Sequence, residues 1–401
     1  MTATQHFDTP STAAASDALA VTVTGDFAAV RDAYERLADK SGAPAPQSPQ
    51  WIETYEREVG GRFVHVNVSE NGKARMILAL ERVRHRGITI LRYSGGRHAN
   101  ANFPAVDPAW TAGPDALRRA LADGIRAACP DIDALVLERQ LDTHQGLANP
   151  LVTARSTPSP NLALAADLTH GFDGLLSEIS GKRKRKKHRS QTRKFEAAGG
   201  FRLARAESEE DVDRALDAFF AMKDARFRAA GIENVFAAPE FQTFLRNLFK
   251  AELGKPAPRF VIDTLEVAGK LRAVAAESVS GKRMTCEFAS IAEDDMAFAS
   301  PGEFLFFHAI KTAADDGFAI YDFGVGDERY KRLWCRLETV HHDTVIALTA
   351  KGEAYRLVWS ATAAAKRRVK NSTVLWPLVK RLRQSLRGSG PADADPAESD
   401  D

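Results

Sequence analysis

The amino-acid sequence predicts a mixed α/β protein assembled from two similar halves. The first observation behind this is a repeated order of elements: two helices, three strands, a helix and a fourth strand, met once before residue 150 and again after residue 200. The second is a fixed offset. Arg62-Phe63-Val64 aligns with Arg259-Phe260-Val261, and Gly72-Lys73 with Gly269-Lys270, both 197 residues apart. The third is composition: 44% hydrophobic and 27% charged residues over 401 positions describe a folded globular chain long enough for two domains. No apolar run reaches the ~18 residues a membrane span needs. Cys129, Cys286 and Cys335 are widely spaced and odd in number, which points to a reducing compartment and to no metal site. A cytoplasmic protein is expected.

Taken in order, residues 1–20 are rich in Ala, Thr and Ser and lack Lys and Arg, so they read as a disordered start and not as a signal peptide. Asp26 to Lys40 sets Phe27, Val30, Tyr34 and Leu37 at helical spacing. Ser48-Pro49-Gln50-Trp51 opens a second helix that ends at Gly60-Gly61. Arg62 to Val68 and Arg75 to Val83 alternate around Asn71-Gly72, a pair that accepts positive φ in a tight turn. Ile88 to Tyr93 is a third strand, Pro114 to Ala128 a helix, and Ala134 to Leu137 a strand. Thr157-Pro158-Ser159-Pro160 marks a linker. One continuous helical segment is expected from Gly171 through the basic stretch to Phe195, stopped by Gly199-Gly200. The second copy follows, with helices over Ala206 to Gly231 and Pro239 to Leu253, a hairpin from Arg259 to Val279, a strand from Lys282 to Ile291, and a last strand from His342 to Thr349.

The polar groups of this second copy gather between Ser300 and Lys331. Ser300 and Pro301 suit a helix start, a hydroxyl to cap free amides followed by a ring with helical φ. Gly302 is expected to let a ligand approach the backbone there, and a helix N-terminus can hold a phosphate. Ala319 to Phe323 is a short strand, and Gly324-Val325-Gly326 turns the chain into Asp327-Glu328-Arg329-Tyr330-Lys331. Only this copy carries both features, so the first half reads as the supporting one.

The net charge of +2 conceals two basic blocks. Lys182 to Lys194 holds nine Lys or Arg and Lys366 to Arg387 holds eight, neither with an acid, so the rest of the chain is acidic. Each block is either a solvated helix face or a site for an anionic partner. The first lacks the interleaved aromatics of a single-stranded nucleic-acid platform, and a phosphate-bearing ligand held by Arg183, Lys184, Lys187 and Arg189 fits better. In the second, Val369, Val374, Leu375, Trp376, Leu378, Val379 and Leu382 stand among the bases, as an in-plane contact with an anionic membrane requires. Pro377 divides it into two short helical pieces. An acidic tail, 388–401, follows.

Ser180-Gly181-Lys182-Arg183 through Gly199-Gly200-Phe201, Ser300-Pro301-Gly302, and Asp322-Phe323-Gly324-Val325-Gly326-Asp327-Glu328 with Tyr330-Lys331 together resemble the CelD-type acetyltransferase-like proteins, which are tied to cellulose and exopolysaccharide synthesis. The early Ser48-Pro49-Gln50-Trp51 also looks like that family, and the resemblance covers roughly residues 20–349. It implies a mixed-sheet GNAT-like fold, two GNAT-like halves in tandem as in the related Fem-type ligases, and an acyl-CoA-dependent N-acyltransferase with acetyl-CoA or another acyl-CoA as co-substrate. The acceptor it implies is an amino group of a sugar or cell-envelope precursor, small or lipid-linked. The same resemblance puts the CoA pyrophosphate at Ser300, Pro301 and Gly302, with Gly324 and Gly326 in the cofactor set, and makes Tyr330 the proton donor to the departing thiolate. The usual Arg/Gln-x-x-Gly-x-Gly/Ala phosphate loop is missing before the helix. Two alternatives therefore stand: a catalytically silent accessory protein of polysaccharide synthesis, and a Fem-like transferase whose donor is aminoacyl-tRNA.

Acyl transfer to an amine needs a base for the amine proton, support for the oxyanion and a proton for the leaving sulfur. Glu287 and Asp322 are the strand carboxylates available as base, and Lys331 offers positive charge to a phosphate or to the oxyanion. The expected division of the chain is a disordered 1–20, a first half over 21–155, a second half over 156–365 carrying the site, a basic amphipathic 366–387 and a disordered acidic 388–401.

Overall fold

The computed structural model describes residues 19–371. The first half opens with β1 (Ala20–Thr24), then α1 (Arg31–Ser41) and α2 (Pro49–Val59). Ser48 caps α2 by accepting a hydrogen bond from the Trp51 amide, and Pro49 supplies the first turn. β2 (Phe63–Glu70), β3 (Lys73–His85) and β4 (Ile88–Tyr93) form an antiparallel meander. A two-residue β5 (Ala105–Val106) pairs with β3. Helix α3 (Pro114–Ala128) then returns the chain to β6 (Ala134–Gln140), which lies parallel to β4. A small hairpin, β7 (Thr143–His144) and β8 (Leu147–Ala148), leads into β9 (Thr157–Asp167), where the sequence predicts only a linker. A Pro-containing stretch is admissible in a strand where its missing N–H falls outside the ladder.

After α4 (Gly171–Glu178) and α5 (Gly181–Ala197) the pattern begins again. β10 (Phe201–Arg205), α6 (Glu209–Ala230), α7 (Pro239–Lys250), β11 (Phe260–Val267), β12 (Lys270–Ser280), β13 (Arg283–Ile291), α8 (Pro301–Asp315) and β14 (Ile320–Val325) retrace the first half element by element. β2 and β11 begin 197 residues apart and both span eight residues. Even the edge strands correspond, β1 on β2 and β10 on β11. The chain ends its described part with α9 (Arg329–Arg332), β15 (Leu337–Ala347) and α10 (Ala350–Asn371).

The strands form one sheet in the order β1-β2-β3-β4-β6-β15-β9-β14-β13-β12-β11-β10, with β5 attached to β3. The order reads the same from either edge, with the β9–β15 ladder at its centre. Each half is completed by a strand from elsewhere in the chain. β9, which follows the first half, pairs with β14 of the second; β15, which follows the second half, pairs with β6 of the first. Helix α10 joins β15 there, its Tyr355 and Trp359 packing with Ile88, Ile90, Ala134, Val136 and Val345. The expected second half of 156–365 is therefore a stretch of sequence and not a packing unit, because His342 to Ala347 of β15 pair with β6 and α10 packs on the first half. One core is shared as well: Trp51 and Tyr55 of α2 meet Phe244 of α7 edge-on at 4.8 and 5.3 Å, and aromatic pairs of this kind add to their area burial.

Two further expectations need correction. The helix predicted as continuous from Gly171 to Phe195 is two helices, broken where Ile179 is extended and the chain folds back so closely that a Cβ on Gly181 would meet the Leu176 carbonyl oxygen at 2.2 Å. The basic segment expected to start at Lys366 begins inside α10, which runs to Asn371, while residues 372–387, the acidic tail and residues 1–18 lie outside the described residues. Among the described residues no helix is long and apolar enough to cross a membrane.

The seat of α10 can be tested at one atom. A Cβ on Gly352 would lie 1.8 Å from the Asp133 carbonyl oxygen, which the backbone cannot tolerate in place. Gly352→Val is expected to lift α10 from β15 and to cost about 1–3 kcal/mol, read as a melting temperature lower by several degrees. An unchanged melting temperature would mean that α10 does not hold to the first half.

Candidate active site

The site forms where the second half's sheet comes apart. β13 and β14 are parallel neighbours over only three pairs, Arg283 with Ile320, Met284 with Tyr321 and Thr285 with Asp322. Beyond Thr285 the two strands are no longer paired. At the same level β13 carries a bulge against β12: Ala276 faces Phe288 and Glu277 faces Cys286, so Glu287 is the extra residue with no partner across the ladder. A bulge bends its strand and re-aims a side chain. The first half has no counterpart, since β3 and β4 keep one register from Leu80–Tyr93 to His85–Ile88.

The Glu287 carboxylate accepts hydrogen bonds from Ser278 Oγ at 2.5 Å and from Asn100 Nδ2 at 2.8 Å, and Asn100 Nδ2 also reaches the Glu287 carbonyl at 2.9 Å. Asn100 belongs to the loop after β4 of the first half, so the two halves meet at this carboxyl. Burial pushes its pKa up to about 7; the Ser278 and Asn100 hydrogen bonds pull the other way, and the nearby Asp322 charge raises it further. A carboxyl titrating near neutrality can accept and release a proton at the working pH. Gly324 (φ +68°) turns the chain against the same asparagine, and a Cβ there would stand 3.0 Å from Asn100 Oδ1. The glycine is required by that left-handed turn and close approach. Gly326, at φ +126°, closes the turn with its amide on the Leu162 carbonyl of β9.

The other expected site residues take different places. Asp322 pairs with Arg283 at 2.6 Å and accepts the Gly324 amide at 2.7 Å, which ties it into the turn and away from the role of base. Lys331 is buried, with its ammonium on the Val325 carbonyl at 2.7 Å and on Glu328 at 2.9 Å. It closes the loop and offers no charge to a phosphate or an oxyanion. Tyr330 stands beside it on α9, 43% exposed, its ring stacked 5.8 Å from Phe306 of α8 and edge-on to Phe323.

At the start of α8, Ser300 adopts a left-handed conformation (φ +55°) and its hydroxyl makes no cap, contrary to the sequence expectation. Gly302 is small because β13 is close: a Cβ would lie 2.6 Å from the Ile291 Cγ2 methyl. Gly302 thus has a packing reason as well, and a branched side chain at 302 would disturb the fold itself. Pro301 is buried.

Helix α5 lies across this helix start. Gln191 donates to the Ala299 and Ser300 carbonyls at 2.9 Å, and His188 stacks flat on Phe304 and Phe307 at 4.6 and 4.2 Å. His188 and His308 share a hydrogen bond of 2.9 Å; burial lowers the pKa of both, His308 to about 4. Lys184, expected to contact substrate, is buried with its ammonium 3.7 Å over the Trp334 ring and 3.2 Å from Glu303. Lys187 pairs with the same Glu303 from an exposed position. The basic run orders against the protein's own acid and aromatic rings, so an outside anion is not needed to fold it. Arg183 and Arg189 face solvent, and Lys194 reaches over the exposed Phe298 ring beside the helix start.

The sequence offered no route to Asn100, one asparagine in a loop of the half read as supporting. Glu287 was legible as a strand carboxylate, but its bulge was not.

With this geometry in view, the comparisons agree with one another. Residues 182–332 match the family model of the acetyltransferase (GNAT) domain, which begins on α5 and ends in α9. The fold is similar to that of FemX, with a TM-score of 0.54 at 11% identity over 82% of this chain and 98% of that one. Looser likenesses are a C-terminal domain of a lysylphosphatidylglycerol synthetase from Agrobacterium fabrum (TM-score 0.49, 12% identity, 84% and 96% covered) and a tandem GNAT protein from the clavulanic acid biosynthesis pathway (TM-score 0.46, 11% identity, 82% and 99% covered). No curated protein sequence matches the chain. Residues 182–332 thus match a GNAT acetyltransferase domain, within a duplicated mixed α/β fold similar to that of FemX.

Glu287 can be tested without any substrate. Its folded pKa lies above the ordinary 4.5, so its contribution to stability is full below about pH 4.5 and is lost as the pH rises through 7. Glu287→Gln stays neutral throughout. It is expected to gain on the native protein by about 2 kcal/mol between pH 5 and pH 8. Melting curves at the two pH values give the result, and a gap that does not widen at pH 8 would remove the raised pKa.

Proposed function

We propose that this protein is an acyl-CoA-dependent N-acyltransferase that modifies an amino group of a sugar or cell-envelope precursor, in the manner of the CelD-type proteins it resembles. The observation that carries the reading is the bulged Glu287 carboxyl, held by Ser278 and Asn100 beside the parted β13 and β14. The acyl donor would lie between those strands. Glu287 takes a proton from the acceptor ammonium and releases it to solvent, the freed amine attacks the thioester carbonyl, and as the C–S bond breaks Glu287 takes the second proton from the acylated nitrogen. Tyr330 gives the departing sulfur its proton and is reprotonated from solvent. The donor's phosphates would lie near the start of α8. Lys187 and Lys194 flank that helix start and offer the positive charge that the missing phosphate loop would otherwise supply.

One observation favours the second reading, a silent accessory protein of polysaccharide synthesis. Glu303 puts a carboxylate in the first turn of α8, where a pyrophosphate would meet it, although Lys184 and Lys187 neutralise it and hold its pKa below the usual range. Calorimetry with acetyl-CoA separates the two. Binding at micromolar to millimolar affinity supports the enzyme; absence of binding by a folded protein supports the silent reading. If aminoacyl-tRNA binds in place of acetyl-CoA, the donor is the Fem-like one. Contact with an anionic inner-membrane surface through 366–387 belongs to the same proposal, and a chain cut after Ala365 would lose salt-sensitive binding to anionic vesicles.

Thiol release from acetyl-CoA, screened against amino sugars, tests the chemistry. Tyr330→Phe is expected to lower turnover about 10- to 1000-fold with donor affinity nearly kept. Lost affinity with preserved turnover would make Tyr330 a packing residue only.

A further inference from the structure

A cavity of about 250 Å³ lies away from Glu287. It opens in the first half, between the start of α3, the loop before β9, the last residues of β15 and α10. Its origin is the strand exchange. β9 pairs with β15 only as far as Asp343, opposite Thr157, so Thr344 to Ala347 are paired with β6 on one side and line the cavity on the other. A single ordered water needs about 10–15 Å³ of such space, which leaves room for a small organic molecule.

Three arginines line this space from three separate elements: Arg118 of α3, Arg155 of the loop and Arg356 of α10. Arg356 is held by Glu353 in a two-pronged pair at 2.5 and 3.0 Å. The other two are held loosely. Both face one carboxylate, Asp115, with Arg155 at 3.5 Å and Arg118 Nε at 3.8 Å, outside hydrogen-bond reach. Three cations against two carboxylates leave a net positive charge. An anion whose several oxygens can face guanidinium groups from different sides balances that charge, and arginine is the residue suited to phosphate. Trp359 adds an apolar ring for the rest of the molecule.

We propose that this cavity is a binding site for a small phosphate-bearing metabolite, held by Arg118, Arg155 and Arg356 in the first half. The site is independent of the acyl-transfer reading, because none of its residues belongs to β13, β14 or α8.

The test is calorimetry on the full chain at low ionic strength, with inorganic phosphate and with glycerol 3-phosphate as probes. Binding to one site is expected, weakened at least 10-fold in Arg118→Gln/Arg155→Gln. Arg226→Gln/Arg228→Gln on α6, outside every site described, is expected to leave it unchanged. Arg155→Gln alone guards against a folding defect, since its side chain is 67% exposed and a measurable loss is still expected. Three outcomes would overturn the proposal: no binding of either probe, equal affinity in the folded Arg118/Arg155 variant, or an equal loss in the α6 variant.

Discussion

Everything else in this molecule depends on the β9–β15 ladder. It joins two five-strand cores into one continuous sheet, and it does so with strands that each half has surrendered to the other. A sheet edge left open exposes unpaired N–H and C=O groups. Here β9 covers β14 and β15 covers β6, so neither half can leave without uncovering the edge of its partner. Contacts between α2 and α7 add an apolar reason for the same union, with Trp51 and Phe244 in a common core.

That union is what brings Asn100 to Glu287. The carboxyl and its bulge belong to the second half, the amide that steadies it to the first. A half-buried carboxyl without donors would be driven further from its charged form, and with too many it would be fixed as a permanent anion. Two hydrogen bonds against burial leave it near neutrality. The duplicated half thus contributes to the site through a loop and not through a second copy of the chemistry, since its own β3–β4 pair runs without a bulge.

The basic helix α5 illustrates how a charge run can be structural on one side and exposed on the other. Its inner side chains, Lys184, His188, Gln191 and Phe195, dock at the start of α8, and Glu303 of α8 with the Trp334 ring just after α9 receives the buried ammonium. Removing a buried ammonium from water is costly unless a carboxylate and a ring face replace the solvation. The outer bases remain in solvent, ranged around the same helix start. Charge concentrated at one end of a cleft attracts anionic ligands irrespective of their detailed chemistry.

The sequence alone determined the duplication, the order of helices and strands within each copy, and which copy carries the polar turn. These rest on local signals: hydrophobic periodicity, Pro at helix starts, Gly at tight turns, and a 197-residue offset. Glu287 and Tyr330 were visible as residue types near strand ends for the same reason. Only the tertiary structure decided that β9 and β15 cross between halves, that Lys331 and Asp322 are consumed by the turn they adjoin, and that Gly302 answers to Ile291. It also decided that Asn100 completes the site. Each of these is a contact between residues far apart in the chain or a choice between equally available partners. A strand's propensity does not say which edge it will join, and a lysine's charge does not say whether a carbonyl or a ligand will claim it. Those choices are made by which surfaces the sheet leaves uncovered once all of its strands are present.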